Sequence, residues 1–261
     1  MLIKKSEFQE GYNVLTEQDG QNKIAEMDFG ILTMKKGSTY NSDSNKEYAF
    51  LLIEGCITYK WEGFEEKVIR RDMIDEMPFC LSVSKGTAVT ISSESDSEIA
   101  VFSIINDTLF EPRLYRPEDC LIETLGKDVM DDTSLRQCRT IIEDSSAPHS
   151  NLVIGEIINY PGRWSSYPPH HHIQPEIYYY RFSPKMGFGF SQDGDEITMV
   201  KDRDAVILRS GLVHSQVSAP GYVMYYIWTI PHTKDGRWRR DREYIEPHRW
   251  LLDKDAKIWP K

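Results

Sequence analysis

The chain has 261 residues, 40% hydrophobic and 28% charged, and its 31 Lys and Arg against 41 Asp and Glu leave a formal charge of -10. That length allows one large domain or two small ones with a sizeable core, and the composition is that of a globular chain rather than a disordered or fibrous one. The negative surplus disfavours nucleic acid and acidic membranes as partners, and apolar runs such as Tyr48 to Ile53 are far too short to span a bilayer. The first residues, Met-Leu-Ile-Lys-Lys, lack the apolar core of a secretion signal. Strand signals, short runs rich in Val, Ile, Phe and Tyr between turn residues, fall at Phe29 to Met34, Tyr48 to Ile53, Cys56 to Trp61, Ala88 to Ser92 and Ile99 to Ile105. The stretch Asn106 to Leu135, with Pro112, Pro117 and many charges, reads as a connection over the surface rather than a strand pair. A second strand set follows at Arg139 to Ile142, Leu152 to Asn159, Ile177 to Phe182, Ile197 to Val200, Ala205 to Leu208 and Val223 to Ile230. Helical pieces are expected only as short turns at Pro117 to Ile122, Asp128 to Leu135 and Asp241 to Leu252. The expected fold is a duplicated all-β unit: a first barrel over 1–107, a connection over 108–135 and a second barrel with a tail over 136–261. Cys56, Cys80, Cys120 and Cys138 form no C-x-x-C pair, which suits a reduced, cytoplasmic protein.

Chemistry-bearing residues crowd into one stretch. Eight of the 14 Tyr and four of the seven His lie between positions 160 and 226, and no His precedes His149. In an extended chain, His170 and His172 share one face while His171 points away. With Glu176 four residues on and His214 after a Gly turn, they make a three-His, one-carboxylate set. Such a set suits one divalent transition ion and leaves positions for water or substrate; zinc, manganese, iron, nickel and copper all fit it. Each histidine alone is as compatible with a solvated loop. If Glu176 faces the site and the strand continues unbroken, Tyr178 and Tyr180 face it too, as candidates for substrate contact or proton relay, or as barrel filling. Tyr179 and Arg181 then face away. Only one of Tyr225 and Tyr226 can face inward; His232 reads as a turn residue and His248 as a packed surface residue. No phosphate loop, G-x-S-x-G elbow or paired-cysteine zinc module occurs. A first barrel without histidine has no matching metal site.

The order H-x-H, then Glu, then G-x-x-H some 40 residues later resembles the metal-binding pattern of the cupin superfamily. More closely, Trp164-Ser165-Ser166-Tyr167-Pro168-Pro169-His170, Glu176 to Arg181, Gly187-Phe188-Gly189 and Pro220-Gly221-Tyr222 resemble the 5-deoxy-glucuronate isomerase family of inositol catabolism. Arg116 to Asp119 and Glu246 to Trp250 resemble it as well. That resemblance implies a bicupin, two jelly-roll-like barrels, converting 5-deoxy-D-glucuronate to 2-deoxy-5-keto-D-gluconate. It also implies a likeness to the uronate ketol-isomerases of pectin breakdown, whose zinc on three His and one Glu makes zinc the leading metal here. The sequence departs from the family in having His171 and Ile173 where Lys and Asp are usual, and in carrying one extra residue and no proline before His214. The alternatives are another reaction on a sugar acid, such as a different isomerisation or an oxygen-dependent cleavage, and a non-catalytic sugar-binding cupin. An anionic substrate would need a positive centre; besides the metal, Arg136, Arg139, Arg163 and Arg209 are candidates to clamp its carboxylate. Exposed barrel edges and a catalytically empty first half favour a homo-oligomer.

Overall fold

Successive side chains of an extended chain point to opposite faces, and Thr90–Ser93 and Phe188–Asp193 alternate accordingly between buried and less buried positions. Ser97–Ile104 and Leu152–Asn159 are buried at every position, as central strands covered on both faces. The computed structural model describes residues 1–4, 7–240, 242–253 and 255–259. It is all-β; among the described residues the helical turns are 3-10 segments at Lys23–Ala25, Pro117–Asp119, Met130–Asp132 and Glu246–Leu252. No described helix is long and apolar enough to cross a membrane.

The chain divides into two compact units that interleave along the sequence. One, the C-terminal unit, takes Met1–Ser6, Leu121–Thr140 and Ile154–Lys261; the other, the N-terminal unit, takes Glu7–Cys120 and Ile141–Val153. The first residues belong to the C-terminal unit because Leu2 and Ile3 pair with Val206 and Ala205.

In the N-terminal unit, the expected strands Tyr48 to Ile53 and Cys56 to Trp61 are one 15-residue strand, Glu47–Trp61. Its first half pairs with Cys80–Val83 and Ser97–Ile104, and its second half with Phe64–Arg70 and Thr90–Ser93. A bulge between Leu52 and Glu54 makes the transition. Gly55 follows it at φ +133, where a Cβ would stand 2.1 Å from Ser97 Oγ. Leu32, Phe50, Leu52, Ile57, Tyr59 and Ile91 belong to an apolar cluster at the heart of this unit.

Two further sheets carry the strands of the C-terminal unit, with Ile141, Ile142, Leu152 and Val153 as the strand residues assigned to the N-terminal unit. The seven-stranded one runs Leu2–Ile3, Ala205–Leu208, Glu176–Ser183, Val223–Pro231, Leu152–Asn159, Arg136–Ile142 and Leu121–Leu125. The five-stranded one runs Glu196–Lys201, Phe188–Asp193, His214–Ser218, Trp164–His171 and Glu243–Tyr244.

Two expectations need correction. The segment Asn106 to Leu135 does contain strands: Arg113–Tyr115 pairs with Cys80–Val83, and Leu121–Leu125 with Arg136–Ile142. Pro112 and Pro117 flank the first of these strands without interrupting it. The turn expected over Pro117 to Ile122 stops at Asp119, and that over Asp128 to Leu135 shrinks to Met130–Asp132. Within Asp241 to Leu252, Asp241 lies outside the described residues, Glu243–Tyr244 is a strand and only Glu246–Leu252 is helical.

Candidate active site

The period of two along each strand builds the site. Arg136 and Cys138, Tyr226 and Trp228, and Glu176 and Tyr178 are alternate residues of three strands in the seven-stranded sheet, and all line one pocket. The five-stranded sheet contributes Ser165, Ser166, His170 and His214 to the same pocket, and His172 enters just beyond the end of Trp164–His171.

The facing strands Trp164–His171 and His214–Ser218 are out of step by a bulge. Ser165 lies opposite Gln216 and His170 opposite His214, so five steps on one strand match two on the other. The bulge turns Ser166, at φ +53, into the pocket together with Ser165 and sets His170 across from His214. Their ring centroids are 4.7 Å apart.

The histidines share one feature: each ring holds a main-chain carbonyl at Nδ1. His170 Nδ1 is 3.1 Å from Pro168 O, His172 Nδ1 is 3.0 Å from Gln174 O, and His214 Nδ1 is 3.3 Å from Leu212 O. A carbonyl only accepts, so the proton is assigned to Nδ1 and the Nε2 lone pair is left available, the arrangement that orients metal-binding imidazoles. His172 Nε2 and His214 Nε2 lie 3.3 and 3.5 Å from the same atom, Glu176 Oε2. Two donors about 2.1 Å from one ion and about 90 to 110° apart would be about 3.0 to 3.4 Å from each other. The three residues offer ligand atoms all within 4.8 Å of one another and so fit a divalent ion. His170 stands beside this trio and outside that set.

Electrostatics favour the same use. Burial, reinforced by His172, depresses the His214 imidazole to about 4, and burial followed by the neighbouring His214 pushes His170 well below its ordinary value. Both rings are therefore neutral near pH 7, as metal ligation requires. Burial, with Glu176 next, pushes Tyr178 well above the usual phenol range, so its hydroxyl stays protonated and able to donate.

The structure separates the two tyrosines proposed from parity. The Tyr178 hydroxyl lies on the pocket wall, 3.0 Å from Ser166 Oγ. Tyr180 packs behind it against Tyr178 and Tyr226, donates to Gln216 Oε1 at 2.6 Å and does not line the pocket. Tyr226 faces the pocket and bonds Ser165 Oγ at 2.5 Å, while Tyr225 points the other way, to Glu156. Arg181 pairs with Asp202, Arg139 with Glu156 and Arg209 with Asp193 and Glu196. Of the four arginines considered for a carboxylate, Arg136 alone lines the pocket. His171 turns outward, toward Glu243. His232 is no exposed turn residue: it is buried, and its Nδ1 accepts the Trp238 N–H at 2.8 Å, holding a pocket residue in place. His248 lies half-buried in the last 3-10 segment.

A model of the KduI/IolB family matches residues 1–251. The chain belongs to that family. It is 27% identical, over 97% of its length and 99% of the relative's, to a 5-deoxy-glucuronate isomerase of Bacillus subtilis subsp. natto. Among solved structures it is similar to an IolB-like protein from Salmonella typhimurium, with a TM-score of 0.87 at 23% identity over 97% and 99% of the two chains. It is also similar to a cupin 2 conserved barrel domain protein from Leptotrichia buccalis, with a TM-score of 0.53 at 11% identity over 88% and 92%. The fold of this KduI/IolB member is thus cupin-like, as the H-x-H pattern suggested.

Sequence reasoning passed over four of the residues at this family member's pocket: Ser165, Ser166, Trp238 and Arg242. Ser165 and Ser166 carry no sequence signal of their own, because the bulge that aims them is marked in the sequence only by the prolines after it. Arg242 and Trp238 arrive from the segment after the last long strand, whose path no strand pattern specifies.

Proposed function

We propose that the protein is a metal-dependent isomerase that converts 5-deoxy-D-glucuronate, an aldose acid, into 2-deoxy-5-keto-D-gluconate, a ketose acid. Relatives over the whole chain length carry the name 5-deoxy-glucuronate isomerase. The observation that carries the reading to this chain is the histidine set, with three Nδ1 positions tied to carbonyls and two Nε2 atoms converging on the Glu176 carboxylate.

His172, Glu176 and His214 would hold one divalent ion, with His170 beside them as a further donor, and zinc leads the candidates. The ion would supply Lewis acidity toward the substrate's carbonyl and hydroxyl oxygens. The chain's own residues do the rest. Burial in an aromatic wall of Tyr178, Tyr226 and Trp228 excludes water from the reacting carbons. Tyr178, protonated and held by Ser166, is the group placed to hold and return a proton at a substrate oxygen. Tyr180 positions it through ring packing 6.1 Å between centroids and takes no part in substrate contact. The four cysteines form no disulfide, which supports a cytoplasmic protein.

The test is incubation of the metal-loaded protein with 5-deoxy-glucuronate, following the sugar by NMR. Loss of the aldose signals with growth of the ketose signals is expected. Unchanged aldose signals would reduce the protein to a binder.

A further inference from the structure

Buried arginines elsewhere in the chain are answered by the protein itself. Arg70, fully buried, gives its guanidinium to the carbonyls of Leu52, Met73 and Glu76. Arg139 and Arg181 face the carboxylates of Glu156 and Asp202. Arg136 is different. It is 7% exposed, and among the described residues its acceptor is Ser134 O, 2.7 Å from Nη1. It has no carboxylate partner among the described residues, although burial lowers the affinity of its guanidinium for the proton. A buried charge without a counter-ion is among the most destabilising features a fold can carry.

What Arg136 faces is the pocket. Arg242 lines the same pocket and has no carboxylate partner among the described residues. Trp228 also lines it, and its indole Nε1 is buried without an acceptor. The only acid among the pocket residues is Glu176, whose Oε2 faces His172 and His214. In a chain of formal charge -10, this pocket therefore holds two cations and an orphan donor against one carboxylate already engaged.

We propose that Arg136, assisted by Arg242 and the Trp228 indole, is the subsite that binds the substrate's carboxylate and makes the pocket selective for sugar acids over neutral sugars. The proposal rests on the reading of this pocket as a sugar-acid site and names the residues that read the acid. The guanidinium fork matches a carboxylate's two oxygens. An arriving carboxylate would supply the counter-charge that the folded protein lacks, so substrate and fold satisfy each other. Because the clamp grips a group remote from the reacting carbons, it acts on binding more than on turnover.

The experiment compares D-glucuronate with its neutral counterpart D-glucuronamide by calorimetry, on the metal-loaded wild-type protein and on Arg136→Met. A charge-assisted clamp gives a preference for the acid of about 10- to 100-fold; Arg136→Met should reduce it to about threefold or less. Metal content should not change, and the melting temperature should stay level or rise, since an uncompensated buried charge is removed. A structural arginine such as Arg70 would show the opposite, a clear fall. Undiminished preference in Arg136→Met, or a wild-type protein that binds both compounds alike or neither, would overturn the proposal. Should Arg136→Met not fold, Arg136→Lys decides: the charge without the fork is expected to weaken the acid preference, and full retention overturns the clamp. The isomerase reading is scored separately with 5-deoxy-glucuronate. Acid preference lost in the variant, with no isomerisation by the wild type, sinks the reaction and leaves the subsite standing. Isomerisation with an unchanged KM in Arg136→Met does the reverse.

Discussion

The two units use the same kind of strand for opposite ends. In the N-terminal unit the interior is apolar, and the buried polar groups answer one another: Glu47 accepts from Asn106, Ser150 and Asn151, and Arg70 spends its donors on backbone carbonyls. In the C-terminal unit Arg139 and Arg181 are answered by Glu156 and Asp202, but the buried groups around the pocket turn toward it: the His170, His172 and His214 rings, the last two sharing Glu176 Oε2, the Arg136 guanidinium with no carboxylate among the described residues, and the Trp228 indole with no acceptor. A buried polar group that the protein satisfies is architecture. One that it leaves unsatisfied is strain the fold tolerates, and a bound ligand relieves it. The histidine count says the same in shorter form, since the N-terminal unit holds only His149, which packs on the Phe110 ring.

Substitutions can break this contrast from either side. The largest effect is expected at Glu176: Glu176→Ala removes the carboxylate shared by two histidines and should lower kcat/KM by more than about a thousandfold, that is, more than about 4 kcal/mol. Tyr59→Phe in the N-terminal interior should leave kcat/KM within about twofold, because the Tyr59 hydroxyl is spent on the Phe50 carbonyl. Next in size is Phe50→Ala, which opens a cavity in the apolar cluster and should destabilise by about 3 to 5 kcal/mol in denaturant unfolding. Metal bound per folded chain should not change; a fall would mean that the N-terminal unit shapes the site.

The pair Tyr178 and Tyr180 sharpens the picture within the C-terminal unit. Tyr178→Phe should lower kcat by about a hundredfold with little change in stability. Tyr180→Phe should leave kcat nearly unchanged and destabilise by about 1 to 3 kcal/mol, since Gln216 Oε1 loses its donor while buried. Reversed outcomes in steady-state kinetics and melting would exchange the two roles.

The smallest effect is one of pH. The His214 imidazole is depressed to about 4 from an ordinary value of 6.5, so between those values the unfolded chain binds a proton that the folded chain does not. The stability of the metal-free protein therefore rises with pH across that window and falls as acid is added. Denaturation midpoints of chelator-treated protein at pH 4.5 and 7 measure it, and His214→Gln should flatten the slope.

Strand spacing was enough to bring together the heart of the candidate site. It put His170 and His172 on one face with His171 outward, and it set Tyr178 on the side of Glu176, because a period of two needs no tertiary information. It could not separate Tyr178 from Tyr180, since depth along a wall depends on what packs in front. The strand Trp164–His171 lies outside the strand signals because Ser165, Ser166, Pro168 and Pro169 interrupt any Val, Ile or Phe run, yet beside the bulge the prolines are tolerated. The strand Glu47–Trp61 was read as two because Glu54-Gly55 looks like punctuation, while in the fold it is the point where one strand changes partners. Sequence could name Arg136 only as one of four candidate clamps; what singles it out is tertiary. Its burial, and the lack of an acid beside it, emerge only when strands distant in the chain close around the pocket.

The measurement that bears most directly on the account is elemental analysis of protein prepared without a purification tag, comparing the wild type with the His172→Ala, His214→Ala double variant. One divalent ion per wild-type chain, and none in a folded double variant, is the result expected if these side chains form the metal centre. Full metal content in the double variant would contradict it.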